Sequence, residues 1–272
     1  MPHPSAPDPD PAPGLVTIGR AAKKATLGGR TQVIVPVSGD AAALSGQVEA
    51  LASCRADIVE WRADTFLSSL VGSHFVAASD VEEDLVRMAR YVADASPLPI
   101  LATIRTSVEG GEASLDDEEY CALVTALAPH VGGVDVEIRR DGSSALIEDA
   151  HVAGALVIGS FHDFEGTPSD DRLAEVLADM NYAGADVLKF ACMAHSATDA
   201  ARVLGAQAWA REAYDRPVIG ISMGQHGAPT RLVGSALGSA ATFATLPGWE
   251  GSAPGQFTIE QARAVLDIVE GS

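Results

Sequence analysis

The chain has 272 residues, 47% of them hydrophobic, with 18 basic against 37 acidic side chains and a formal net charge of −19. That is enough apolar material for one large core, while the acidic balance excludes the basic stripe that a nucleic-acid partner needs. No apolar run approaches the roughly 20 residues of a membrane span, and three dispersed cysteines (Cys54, Cys121, Cys192) predict reduced thiols in a cytoplasmic protein.

Residues 1–14 alternate Pro with small and acidic residues and read as a disordered tail. They have neither the basic start nor the apolar stretch of a secretory signal. From 15 to 272 no Pro/Gly/Ser linker interrupts the chain, so a single catalytic domain is expected. Short β-rich apolar runs follow at 32–37, 57–62, 100–105, 134–138, 156–161, 186–191, 218–222 and 241–245. Amphipathic stretches at 41–53, 81–93, 115–130, 169–183, 198–214 and 259–270 read as helices between and after them. Ser169 with its acidic successors, Ser114 ahead of an acidic turn, and Thr258 with Gln261 three residues on are helix-start signals. Runs this continuously apolar are strands buried on both faces. Eight of them alternating with helices predict an α/β fold, the (β/α)8 TIM barrel. A doubly wound sheet is the alternative. It would carry a Gly-rich phosphate fingerprint after its first strand, and none follows Val37.

In such a barrel, function belongs at the C-terminal strand ends. The second run ends Glu60-Trp-Arg62, the third reaches Arg105 with Glu109 four residues on, and the fifth ends SerPheHisAspPhe with His162. The seventh ends at Ser222, and Arg231 and SerAlaProGlyGln (252–256) lie in the last loops. Lys189 sits in the sixth run. Of the 18 basic residues 15 are arginine, and the other two lysines, Lys23 and Lys24, lie near the polar N-terminus. A lysine among Val187, Leu188, Phe190 and Ala191 is costly to bury as a cation, and such a setting lowers an amine's pKa. The structural alternative pairs it with Glu137 across the barrel. Glu60 and Arg62 could likewise pair with each other, and Asp135 and Glu137 read as polar filling of the interior.

A neutral lysine amine attacks a ketone to form an imine, and a nearby histidine can remove the proton which that imine acidifies. A carboxylate such as Glu109 could orient the imidazole, and arginines suit an anionic substrate. The residues therefore predict a cofactor-free lyase or aldolase acting on a small anionic ketone. GlyIleSerMetGly (220–224) matches a nucleophile elbow, but the only histidine after it is His226, with no carboxylate between. No Cys/His cluster has metal-ligand spacing, so no metal is expected.

Taken in order, GluTrpArg-x-Asp (60–64), Arg105-Thr-x-x-Glu109-Gly-Gly, SerPheHisAspPhe with ThrPro (160–168), Lys189, SerMetGly…ArgLeu…GlySerAlaAlaThrPhe (222–243) and SerAlaProGlyGln (252–256) resemble type I 3-dehydroquinate dehydratase from about residue 15 to 270. The resemblance implies a TIM barrel, usually homodimeric, with an N-terminal β-hairpin closing the barrel base, for which 15–19 and 32–37 are the matching segments. It implies syn loss of water from 3-dehydroquinate to give 3-dehydroshikimate, the third step of the shikimate pathway. Lys189 would form the imine at C3, His162 would move the C2 proton and assist loss of the C1 hydroxyl, and Glu109 would pair with His162. Glu60, Arg62 and Arg105 would contact substrate hydroxyls or order the pocket, Arg231 would hold the carboxylate, and Ser252 and Gln256 would belong to a lid. Pro36 stands where some relatives have a serine, leaving Ser38 as a substitute, and Thr230 replaces another serine. The enzymatic alternative is a class I aldolase with a phosphate site near Gly248 and Gly251. A binding barrel without activity would be expected to have lost the lysine, the histidine or the lid.

Overall fold

The apolar runs form strands because each buries both faces, one against an outer helix and one in a barrel lumen. The computed structural model describes residues 14–71, 78–249 and 255–271. It opens with an antiparallel hairpin, β1 (Val16–Arg20) and β2 (Lys23–Leu27). The barrel then runs β3 (Gln32–Val37), α1 (Ala41–Ala50), β4 (Ile58–Arg62), α2 (Ala63–Val71), α3 (Ala78–Ala95), β5 (Ile100–Thr103), α4 (Asp117–Leu127) and β6 (Gly133–Glu137). It continues through α5 (Ser143–Val152), β7 (Leu156–Asp163), α6 (Asp170–Tyr182), β8 (Val187–Met193), α7 (Ala197–Ala213) and β9 (Val218–Met223). The last elements are the one-turn α8 (Gly224–Gly227), β10 (Ala241–Thr245), a two-residue β11 (Phe257–Thr258) and α9 (Ile259–Val269).

Neighbours from β3 to β9 pair in parallel in chain order, and β10 returns to pair with β3. Between β9 and β10 the ring closes through a single bridge, Val218 with Ser239, and a hydrogen bond from Ala240 N to Val218 O at 2.8 Å. All eight expected runs are barrel strands. The fold is the (β/α)8 barrel, and the expected tail over 1–14 lies, but for Gly14, outside the described residues.

Alternation along each strand sorts the core. Leu188, Phe190 and Cys192 of β8 join the layer under the helices, while Val187 and Ala191 face the lumen. The lower lumen is apolar, filled by Ile34, Ile58, Leu101, Ile158, Val187 and Ile219. Ile18 and Leu27 of the hairpin, both fully buried, complete this cluster from below. Gly133 makes room for Ile18, since a Cβ there would meet Ile18 Cδ1 at 3.0 Å and Leu156 O at 2.9 Å. Arg20 ties the hairpin to the base by donating to Val131 O at 2.7 Å and Ala128 O at 2.9 Å.

The expected hairpin is corrected here. Strand β1 pairs with 23–27 and not with 32–37, which is the first barrel strand. The turn between β1 and β2 is made by Ala21, at φ 49°, and Ala22, without the Asn-Gly or Gly that announces such turns. Ser169 and the Thr258–Gln261 capping box act as predicted. Asp116, not Ser114, caps α4, with Glu119 completing its box.

Candidate active site

Above the apolar lumen, at the C-terminal mouth, the same inward positions carry charge. Lys189, His162 and Glu109 line one cavity of about 490 Å³, open to solvent. Glu60, Arg62, Arg105, Arg231 and Gln256 line it too. Ser252 lies outside the described residues. Ser38 is exposed, its backbone bonded to the Gln47 amide, and it takes no part in the lining. Ser222 points away from the lumen and is buried, and His226 is exposed, so no nucleophile–base pair forms there.

Lys189 projects from β8 into the lumen and is 3% exposed. Its Nζ donates to Asp135 Oδ2 at 2.9 Å, lies 3.8 Å from Glu60 Oε1, and stands 4.8 Å from the centre of the Phe243 ring. The apolar cage read from its sequence neighbours is therefore corrected: Leu188 and Phe190 face the helices, and the amine meets carboxylates. Its partner is Asp135 rather than Glu137. Asp135 also accepts from Arg105 Nη2 and from Ser160 Oγ, each at 2.6 Å. Burial works to raise the Asp135 pKa, but Arg105 and then Lys189 outweigh it and hold the carboxyl well below the usual range. Asp135, the shared partner of Lys189 and Arg105, is the residue that sequence reasoning undervalued. Its signal was the inward i, i+2 pair with Glu137 on β6.

Glu137 binds a different set, accepting from Arg105 Nη1 at 2.9 Å and from Thr106 N and Oγ1 at 2.9 and 2.7 Å. Arg105, which lines the cavity, thus ties both β6 carboxylates to its wall. Arg62 does not pair with Glu60. It makes a bidentate contact with buried Asp64, at 2.8 and 2.7 Å, which fixes its guanidinium at the rim. Glu60 accepts instead from Thr103 Oγ1 at 3.0 Å.

Glu109 reaches His162 because the loop after β5 doubles back on itself. Gly111 permits this, since a Cβ there would lie 2.1 Å from Arg105 O. Glu109 Oε2 then accepts from the backbone N–H of His162 at 3.0 Å and lies 2.9 Å from its Nδ1. Burial, then the nearby charges of Arg105 and Lys189, push the His162 pKa well below its ordinary value, against the pull of Asp135. Burial pushes the Glu109 carboxyl up to about 7 despite Arg105. With Glu109 ionised, Nδ1–H donates to it and Nε2 is left as an acceptor facing the cavity. Burial brings the Arg231 guanidinium down to about 10, still cationic at neutral pH.

Fold and mouth together define the class: a (β/α)8-barrel enzyme whose polar groups converge at the C-terminal ends of its strands. The chain belongs to the type I 3-dehydroquinase family, whose model matches residues 33–272. A 3-dehydroquinate dehydratase of Klebsiella pneumoniae is 37% identical over 247 residues, covering 89% of this chain and 94% of the relative. One from Bacillus velezensis is 36% identical over 248 residues, covering 89% and 93%. The crystal structure of 3-dehydroquinate dehydratase from Geobacillus kaustophilus is similar at TM-score 0.84 and 30% identity, covering 95% of this chain and 97% of that one. No helix among the described residues is long and apolar enough to cross a membrane.

Proposed function

We propose that this protein dehydrates 3-dehydroquinate to 3-dehydroshikimate, the third step of the shikimate pathway, through an imine on Lys189. Lys189 Nζ passes a proton to His162 and attacks the C3 carbonyl as the free amine, and His162 returns that proton as the adduct loses water, leaving the protonated imine. His162 Nε2 takes the C2 proton as the electron pair moves into the imine, leaving an enamine. The enamine expels the C1 hydroxyl, which leaves as water with the proton that His162 returns. A second water hydrolyses the protonated imine, with His162 relaying its protons, and releases product and the lysine as its ammonium. Glu109 holds His162 in the required tautomer, Arg231 binds the carboxylate, and Glu60, Arg62 and Arg105 order the pocket around the substrate hydroxyls. Ser252 and Gln256 belong to the closing lid. No cofactor enters any step.

The observation that carries this reading is that Lys189, His162 and Arg231 line one cavity: a nucleophile, a neutral base and a buried cation for an anionic ketone. Family membership favours it over the aldolase alternative. Residues 15–272 act as one catalytic domain, in the cytoplasm and as a homodimer, as the family resemblance implies. Borohydride reduction with 3-dehydroquinate present, followed by peptide mapping, tests the chemistry. A ligand-sized adduct on Lys189 is expected. Turnover without any adduct in a folded protein would overturn the imine.

A further inference from the structure

Glu109 has two carboxylate oxygens, and the protein uses them in opposite directions. Oε2 faces inward to His162. Oε1 faces outward and accepts from Arg139 Nε at 3.3 Å. Arg139 follows β6 by two residues and does not line the cavity that holds Lys189. It lies across the Phe161 ring, with its Cζ 4.7 Å from the ring centre, and its side chain is 42% exposed. Together with Glu109 and Glu137 it lines a second cavity, about 670 Å³ and open to solvent, which shares Glu109 with the first. Glu109 therefore forms part of the wall between the two.

Other charged and titratable groups face Glu109 from the neighbouring elements: Arg105 after β5, Asp135 and Glu137 on β6, His162 on β7 and Cys192 on β8. Asp135 and Glu137 oppose its ionisation. Arg105 favours it, but that guanidinium is engaged by Asp135 at 2.6 Å and Glu137 at 2.9 Å, and stands 3.4 Å from Glu109. Arg140, in the second cavity, is paired with Asp117 at 2.6 Å. Arg139 supplies a further cation on the outward oxygen.

We propose that Arg139 is a positioning residue for the dehydration, anchoring the outer oxygen of Glu109 so that the carboxylate stays ionised and His162 keeps its proton on Nδ1, with Nε2 open to the substrate. The inference rests on the dehydratase reading of the site. A protonated Glu109 would donate to Nδ1 instead, moving the imidazole proton to Nε2 and blocking the base. Arg139 is half-exposed, so salt weakens its hold, and the protonation state of a buried catalytic carboxylate becomes sensitive to ionic strength through the second cavity.

The test compares Arg139→Met, which keeps a long side chain on Phe161 without charge, with Arg139→Lys, which keeps the charge. The imidazole ¹⁵N resonances of His162, assigned by their loss in His162→Asn, report the tautomer during a pH titration without any turnover. In Arg139→Met the tautomer change should move up by about half a pH unit, in line with the modest strength of a half-exposed pair. The acid limb of kcat/KM should move with it, giving about threefold lower activity at pH 6 and a smaller loss toward higher pH. Arg139→Lys should restore both. Raising salt from about 0.05 to about 0.5 M should shift the unsubstituted protein in the same direction and leave Arg139→Met unmoved. An unchanged titration in Arg139→Met, or equal losses in both variants without any shift, would overturn the inference. If the unsubstituted protein failed to turn over 3-dehydroquinate, the dehydratase reading would fall while the titration still decided the Arg139–Glu109 link.

Discussion

Glu109→Gln separates what the carboxylate does for catalysis from what it costs the fold. Glu109 is 2% exposed, and burial raises its carboxyl from 4.5 to about 7. A carboxyl whose folded pKa lies above its unfolded one binds its proton more tightly when folded. Stability is therefore fullest below the unfolded value and is lost as pH rises toward the folded one. Over this interval the loss is about 3 kcal/mol and is complete by about pH 8. Glutamine matches the protonated carboxyl in shape and cannot ionise. The variant should gain on the unsubstituted protein by up to about 3 kcal/mol between about pH 4.5 and 8, or roughly 6–9 °C in Tm for a chain of this size. Urea unfolding of both proteins at several pH values measures the difference directly. A stability difference that is flat with pH, or that runs the other way, would refute the claim that Glu109 is an ionised group held against its solvation preference. Turnover should fall in the same variant, because a neutral amide does not impose the Nδ1–H tautomer.

Three further outcomes follow from the same geometry. His162→Ala leaves Lys189 its carboxylate partners but removes the proposed base, so 3-dehydroquinate should accumulate as an imine that intact mass detects after reduction, with turnover nearly abolished. Arg231→Gln removes a buried cation from the cavity and should raise KM about 10- to 100-fold, the worth of one charged hydrogen bond, with a smaller change in kcat. Asp135→Asn leaves Arg105 and Lys189 facing an uncharged amide; calorimetry should show a loss of about 3–5 kcal/mol. A change below about 1 kcal/mol there would mean that the ion cluster relaxes freely.

The barrel was legible in the sequence because a strand buried on both faces leaves a continuous apolar run; seven such runs stood out, and the eighth, Ala241–Thr245, was the faintest and is a strand too. Single strand-end residues were legible for a related reason: Lys189 and His162 interrupt apolar runs, where a polar side chain needs a cause. What sequence spacing does not encode is which lumen groups meet across the barrel. That depends on the stagger of the strands, and it decided that Lys189 meets Asp135 on β6 while Glu137 goes to Arg105 and Thr106. The same limit produced the apolar cage around Lys189, since neighbours in sequence along a strand lie on opposite faces of the sheet. Strand β2 was missed because its LysLysAlaThrLeu run is half-exposed and its turn is built on alanine at positive φ, so neither pattern nor turn chemistry marks it. Asp116 displaced Ser114 as the α4 cap because its side chain accepts from Glu119 N, while Glu119 returns the bond to the Asp116 N–H.

The barrel is also a hoop with one unfastened joint. Elsewhere around it neighbouring strands are laced by ladders of three to six paired residues, yet β9 and β10 meet at one bridge. Arg231 and Gln256 lie in the segments that follow these two strands, so a ligand gripped by both would span the joint like a staple. In the empty protein the amide of Ala240, which crosses the joint to Val218 O, should trade its hydrogen for deuterium sooner than amides of the β7–β8 ladder. Bound substrate should slow that exchange most at the joint, where closing the hoop and holding the ligand become the same event.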